Sequence, residues 1–209
     1  MDARRHIDAI FEHPHLIGKI EYDLEQVDKN KATLERLIKE PDLEEIGSFK
    51  GIPLYRNGHE IFSTQEGMII CMVVYEVRQI PRAHITGICQ VKLWRGFGPR
   101  GMTAYIFWEL LMPILGVMVS DSLHSDDGKK FWQDSVSEAL LGKGYVYLVN
   151  RVTGRIQAIK SQQEYADSWV TGYAKHDGMN WRYVITLAPL KESPGSVADI
   201  KPPFPFEVH

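Results

Sequence analysis

Cysteine is nearly absent from this chain. Only Cys71 and Cys89 occur among 209 residues. Both fall in apolar, strand-like runs, so a disulfide framework is not expected and two buried thiols in a reducing compartment are. An excess of one charge is lacking too: 24 Lys and Arg stand against 27 Asp and Glu, a formal net charge of -3. Binding dominated by phosphate-backbone contacts needs a basic face, so this balance argues against nucleic acid as a principal partner. The longest apolar stretch, Tyr105 to Val119, is broken by Glu109, Pro113 and Gly116 and is too short to span a bilayer. No apolar run near the N-terminus leads to a small-residue cleavage site, so neither a signal peptide nor a membrane partner is expected. Internal repeats and low-complexity tracts are also missing.

What is present is the mixture of a globular protein, 44% hydrophobic and 24% charged. The length suits one domain with small appendages. Residues 1–48 read as a polar arm followed by an amphipathic helix, residues 49–190 as an α/β domain, and residues 191–209 as an extended tail built on Pro202-Pro203-Phe204-Pro205-Phe206. Ile17, Ile20, Leu24, Val27, Leu34 and Ile38 recur at helical spacing, with Lys31 in the one slot where an apolar residue is missing, and Pro41 ends the pattern. This seam predicts a helix from Ile17 to Glu40 that packs on its own domain or pairs with a partner or a second copy.

Antiparallel strands are predicted across residues 49–94. Asn57-Gly58 marks a hairpin between Ile52–Tyr55 and Glu60–Thr64, and Glu66-Gly67 marks a second turn. Met68 to Ile80 is apolar and rich in β-branched residues, which predicts a central strand ended by Pro81. His84 to Trp94 is the next strand. Arg95-Gly96-Phe97-Gly98-Pro99-Arg100-Gly101 then breaks the sheet. A buried helix over Thr103 to Met112 is closed by Pro113. Val117 to Ser120 is a short strand. Asp126 is placed to cap a helix to Leu141, stopped by Gly142 or Gly144. A hairpin follows through Tyr145–Val149 and Arg155–Ile159, then a short helix over Gln162 to Val170 capped by Ser161, then a strand over Trp181 to Leu187. A strand, a polar loop, a helix and a second strand in residues 114–149 give the local grammar of an α/β (α+β) protein.

This order of elements resembles the Gcn5-related N-acetyltransferase (GNAT) fold over residues 49–160. That fold is a mixed, mainly antiparallel sheet flanked by helices. In the family a Gln/Arg-x-x-Gly-x-Gly/Ala loop holds the pyrophosphate of acyl-CoA with backbone amides at a helix start. Arg95 and Gly98 match its first two fixed positions. Arg100 stands where a small residue is wanted, and Pro99 removes one amide donor. The resemblance implies acetyl-CoA as cofactor, held by Arg95, Gly96, Gly98, Arg100 and Gly101, whereas a plain glycine-rich turn explains the same residues without a ligand. It also implies a base on the central strands, for which Glu76 or His84 stands, and an acid, for which Tyr147 or Tyr145 stands. Glu76 lies among apolar residues that would raise its pKa and suit it to the task. An ordinary strand residue and ordinary aromatic packing are the competing explanations.

A second resemblance spans about thirty residues. Asp121 after a buried strand, a polar loop to Asp127, Gly128 and Trp132 on a helix, and Tyr145-Val146-Tyr147 on a strand look like a set of uncharacterised proteins of tailed bacteriophages. It implies phage origin, and a location in the host cytoplasm during infection or in the virion.

Other polar residues invite chemistry less firmly. Ser120, Asp121, Ser122, His124 and Asp126 contain the residue types of a hydrolase triad, yet no Gly-x-Ser-x-Gly elbow is present and triads are seldom built from one loop. Asp121, His124 and Asp126 are a conceivable metal set, but helix capping and loop hydrogen bonds explain them as well. His13 and His15 flank a proline in the arm. No metal is expected. Two functions follow. The first is a phage accessory protein with a degenerate acetyltransferase-like fold that binds a host, defence or virion protein, or self-associates through the Ile17–Ile38 seam. The second is an acyl-CoA-dependent N-acyltransferase acting on an amine.

Overall fold

The computed structural model describes residues 24–120, 126–168 and 180–191, and excludes the side chains of residues 126–129. The fold is mixed α/β with mainly antiparallel strands. The chain forms two compact units. Among the described residues, those up to Val77 and Ile88–Leu115 make the first, and Arg78–Gly87 with those from Gly116 onward make the second. Two long strands, β4 (Met68–Ile80) and β5 (Ile85–Arg95), contribute residues to both.

In the first unit the strands lie in the order β1 (Glu44–Phe49), β2 (Ile52–Asn57), β3 (Glu60–Gln65), β4, β5. The expected hairpins are present. Asn57 faces Glu60 across Gly58 and His59, and Gln65 faces Met68 across Glu66 and Gly67. Glu66 and Gly67 both have positive φ, as do Lys50 and Gly51 between β1 and β2, the conformation that two-residue hairpin turns require. β4 is buried on both faces from Ile69 to Tyr75, which is why its sequence runs apolar without alternation.

Strand β1 is an element the sequence reading missed. It is short, polar and at an edge of the strand order. A bulge between Glu45 and Gly47 disrupts its alternation. His84 does not begin β5; it is a left-handed residue (φ 54°) that closes the Pro81–Ala83 turn.

Helix α1 spans Val27–Leu37, and the expected segment from Ile17 to residue 23 lies outside the described residues. Its inward face also differs from the expected seam. Leu37 and Asn30 are buried and Leu34 partly so, whereas Val27 and Ile38 are each 53% exposed. Asn30 takes an interior slot because its amide bonds backbone groups that would otherwise be buried without partners. Leu24, Leu37, Phe62, Ile69, Met72 and Val74 form one core cluster, with Leu34, Leu43, Tyr55 and Trp94 against it.

Helix α2 comprises Met102–Tyr105, a π-helical stretch Ile106–Leu111, and Met112–Leu115. Pro113 therefore sits inside the helix instead of closing it. A proline ring clashes with the carbonyl four residues back, here that of Glu109, and widening the preceding turn relieves the clash.

The second unit orders its strands β6 (Val117–Val119), β9 (Trp181–Thr186), β7 (Tyr145–Asn150), β8 (Ile156–Ile159). All three pairings are antiparallel. Helix α3 runs from Asp126 to Glu138 and continues as a wider turn over Ala139–Lys143. Asp126 is the first residue of the helix, and Gly142 (φ 109°) supplies the left-handed stop. Helix α4 covers Gln162–Ser168. Ser161 caps it as expected, accepting from the Glu164 N–H at 3.1 Å. Ile80, Ile85, Val119, Tyr147, Val149, Ile156 and Val184 make the core cluster of this unit.

Candidate functional site

The glycine-rich segment leaves β5 at Arg95 and enters α2 after Gly101, the strand-to-helix junction at which a pyrophosphate cradle would be built. Two of its amides are committed elsewhere. The N–H groups of Gly96 and Gly98 both donate to the Ile70 carbonyl, at 3.1 and 3.2 Å. Pro99 has no N–H, and its carbonyl accepts from Met102. A Cβ on Gly98 would lie 3.1 Å from the Ile70 carbonyl oxygen and 3.4 Å from the Cys71 Cβ. The glycine is thus accounted for by close approach to β4. Gly101 has φ 92° and immediately precedes α2. Arg95 and Arg100 are exposed, and the Lys50 ammonium donates to the Arg100 carbonyl at 3.4 Å. Phe97, at the tip of the segment, is 85% exposed. Of the aromatics around this break, Phe107 and Trp108 are buried and Trp94 packs on the first core cluster, so Phe97 alone of these four stands in solvent.

Glu76 is half-buried on β4 in the first unit, whereas His84 and Tyr147 belong to the second. His84 is exposed. Tyr147 is 3% exposed within the second core cluster, and its hydroxyl accepts from the Leu190 N–H at 2.8 Å. Tyr145 is 47% exposed. Ser120 is fully buried: its N–H donates to the Tyr183 carbonyl at 2.8 Å and its Oγ accepts from the Tyr183 N–H at 2.9 Å, a structural clasp on β9. Asp121 and His124 lie outside the described residues, as does the side chain of Asp126. Among the described residues no three His, Cys, Asp or Glu side chains come together as a metal site, and no helix is long and apolar enough to cross a membrane.

Cys71 and Cys89 are both free and buried. Burial pushes the Cys71 thiol up to about 12, against the opposing pull of the Arg95 charge. Such a thiol is inert near neutral pH.

A cavity in the second unit has no counterpart among the sequence motifs. Arg78, Gln79 and Ile80 from the end of β4, Arg151 from the turn after β7, and Arg182 from β9 line a space of about 340 Å³. Val149 faces Arg182 across the β7–β9 pair, and the Arg151 N–H donates to the Asn180 carbonyl at 2.7 Å. Arg151 and Arg182 are therefore diagonal neighbours on one sheet face. Arg182 is 3% exposed, and its Nη1 donates to the Trp181 carbonyl at 2.6 Å. The only sequence signal was a charged residue inside the apolar run Trp181-Arg182-Tyr183-Val184-Ile185. The pairing of β9 with β7, which brings the arginines together, has no local signature.

Set beside known protein families, curated proteins and solved structures, the chain matches none.

Proposed function

We propose that this chain is a non-catalytic binding protein with an acetyltransferase-like shape, of the kind tailed phages encode, and that it acts by holding a host, defence or virion protein in the infected cell or the particle. One observation carries this reading over acyl transfer: the amides of Gly96 and Gly98, two of the donors a pyrophosphate would need, both serve the Ile70 carbonyl. An acyl-CoA pyrophosphate binds through several convergent N–H groups at a helix start, and committing two of them to a strand leaves the loop poorly equipped. Tyr147 supports the same conclusion, because an acid must reach the leaving thiolate and this hydroxyl is buried against Leu190. Phe97 favours a binding role. A large aromatic held 85% exposed on a turn between Arg95 and Arg100 has the chemistry of an interface anchor.

Calorimetric titration with acetyl-CoA tests the choice. No saturable heat attributable to the Arg95–Gly101 loop is expected. Micromolar binding that is lost in both Arg95→Ala and Arg100→Ala would restore the acyltransferase. These variants are preferred to a change at Gly98, where a side chain would meet β4 whatever the loop binds. The partner is then sought by tagging the chain in infected cells. Support requires a complex that reassembles from purified components and weakens on Phe97→Ala.

A further inference from the structure

We propose that the surface around Phe97 recognises an acidic protein face, one that sets aspartate and glutamate side chains around an apolar pocket for the ring. The inference rests on the reading above, in which Phe97 anchors a protein partner, and adds the charge of that partner.

Three cations accompany the ring. Arg95 and Arg100 flank it in the chain, and both are exposed. Lys50 arrives from the turn between β1 and β2. Its ammonium lies 3.4 Å from the Arg100 carbonyl and 5.2 Å from the centre of the Phe49 ring. Among the described residues none of these three cations forms an ion pair. The whole chain carries a net charge of -3, so this cluster runs against the average. It would draw an acidic partner to this patch while the remaining surface turns it away. An exposed aromatic among unpaired cations has both parts of an interface hot spot: the ring enters a dry pocket, and the charges at its rim set orientation and on-rate. Guanidinium forks match carboxylates in pairs.

The patch stands on a fixed base. The N–H groups of Gly96 and Gly98, on either side of Phe97, are tied to the Ile70 carbonyl. Phe49 packs on Tyr105 with ring centres 5.1 Å apart, and its ring lies 3.6 Å from where a Gly101 side chain would begin. The turn that carries Lys50 thus meets the start of α2. Such a frame lowers the ordering cost of binding.

Carboxylates fit this surface better than the phosphates of a nucleic-acid strand. Strand binders stack successive bases on several rings along a groove. Among the described residues of the first unit, Phe97 is the one large aromatic that is exposed. Trp94 packs on the core cluster, and Phe107 and Trp108 are buried.

The test is selection against the intact protein from a displayed library of small scaffold domains with one randomised face. Phe97→Ala serves to discard binders that ignore the ring. The survivors should be enriched in Asp and Glu over the starting library. Their affinity should fall at least about tenfold between about 0.05 M and about 0.5 M salt, and at least about tenfold on Arg95→Glu/Arg100→Glu. Should that double variant fail to fold, the salt series and Lys50→Glu alone give the same reading. The inference is overturned by an absence of Phe97-dependent binders, or by binders that lack acidic enrichment and tolerate salt. Tighter, Phe97-dependent binding of a labelled mixed-sequence single-stranded DNA also overturns it and assigns the surface to nucleic acid. The partner complex separates this inference from the reading beneath it. A complex weakened by Phe97→Ala but indifferent to salt and to Arg95→Glu/Arg100→Glu keeps the protein partner and removes its acidic face. A complex indifferent to Phe97→Ala as well removes both.

Discussion

The side-chain amide of Asn30 pairs in both directions with the backbone of Ile69. Its Nδ2 donates to the Ile69 carbonyl at 2.9 Å, and its Oδ1 accepts from the Ile69 N–H at 2.7 Å. Nδ2 also donates to the Leu24 carbonyl at 3.0 Å. One polar side chain thereby joins helix α1 to the start of β4. Asn30→Leu would match the apolar surroundings yet leave these backbone groups without partners. A loss of about 3 kcal/mol is expected, since each buried group left unsatisfied costs roughly 1–3 kcal/mol. Val27→Ala, on the exposed side of the same helix, should change stability by no more than about 0.5 kcal/mol. Urea denaturation of the two variants checks both values; equal losses would refute this role for Asn30.

Cys71 makes stability depend on alkaline pH. Its thiol has an ordinary pKa of 9.0, which burial pushes up to about 12 in the folded chain. Between these values the unfolded chain has released the proton and the folded chain retains it, so stability falls as pH rises. The contribution is fully present below pH 9.0 and fades towards about 12. Burial raises Tyr75 as well, in opposition to Arg56, and adds to the decline at higher pH. Cys71→Ala should flatten the fall by up to about 1.4 kcal/mol per pH unit, less than that at the ends of the window. Denaturation midpoints of wild type and variant from pH 8 to about 11 measure the difference, and parallel curves would remove Cys71 as a cause.

Two glycines should respond unequally to alanine. At Gly98 the added Cβ meets the Ile70 carbonyl at 3.1 Å and the Cys71 Cβ at 3.4 Å, contacts that a small shift of the loop relieves, so a loss of about 1 kcal/mol is expected. At Gly154 the backbone is left-handed and the Cβ falls on the Arg82 carbonyl, so strain and collision add to about 3 kcal/mol. Thermal unfolding ranks the two.

Phe97→Ala should leave Tm within about 2 °C of wild type, because the ring covers almost nothing. The same change should weaken the partner complex by at least about tenfold if the ring is an anchor. A drop in Tm of several degrees would show instead that the ring serves the fold.

Much of the architecture was legible because its signals are local. Met68–Ile80 is a run of apolar and β-branched residues between a Glu-Gly turn and a proline, and it forms a strand with those bounds. Ser161 and Gly142 act where capping chemistry places them. Features set by distant partners were not legible. Asn30 looks like a surface residue until Ile69 is beside it, so the inward face of α1 was misjudged. Strand β1 carries too little alternation to announce itself. The phosphate-loop pattern named the right residues for a turn, but only the strand beneath shows that Ile70 receives their amides. Arg151 and Arg182 lie far apart in sequence, and only the β7–β9 pairing brings them together.

Strand β9 lies between β6 and β7, although it follows both in the chain. During synthesis, a ribosome that has released Ser168 has produced the two flanking strands but not the one that joins them. Until Trp181–Thr186 emerges, β6 and β7 have unfilled edges and an apolar face without its middle. Such nascent edges attract other chains and chaperones. We expect the second unit to mature only after translation has passed β9, and a pulse-proteolysis series on stalled chains would time that step.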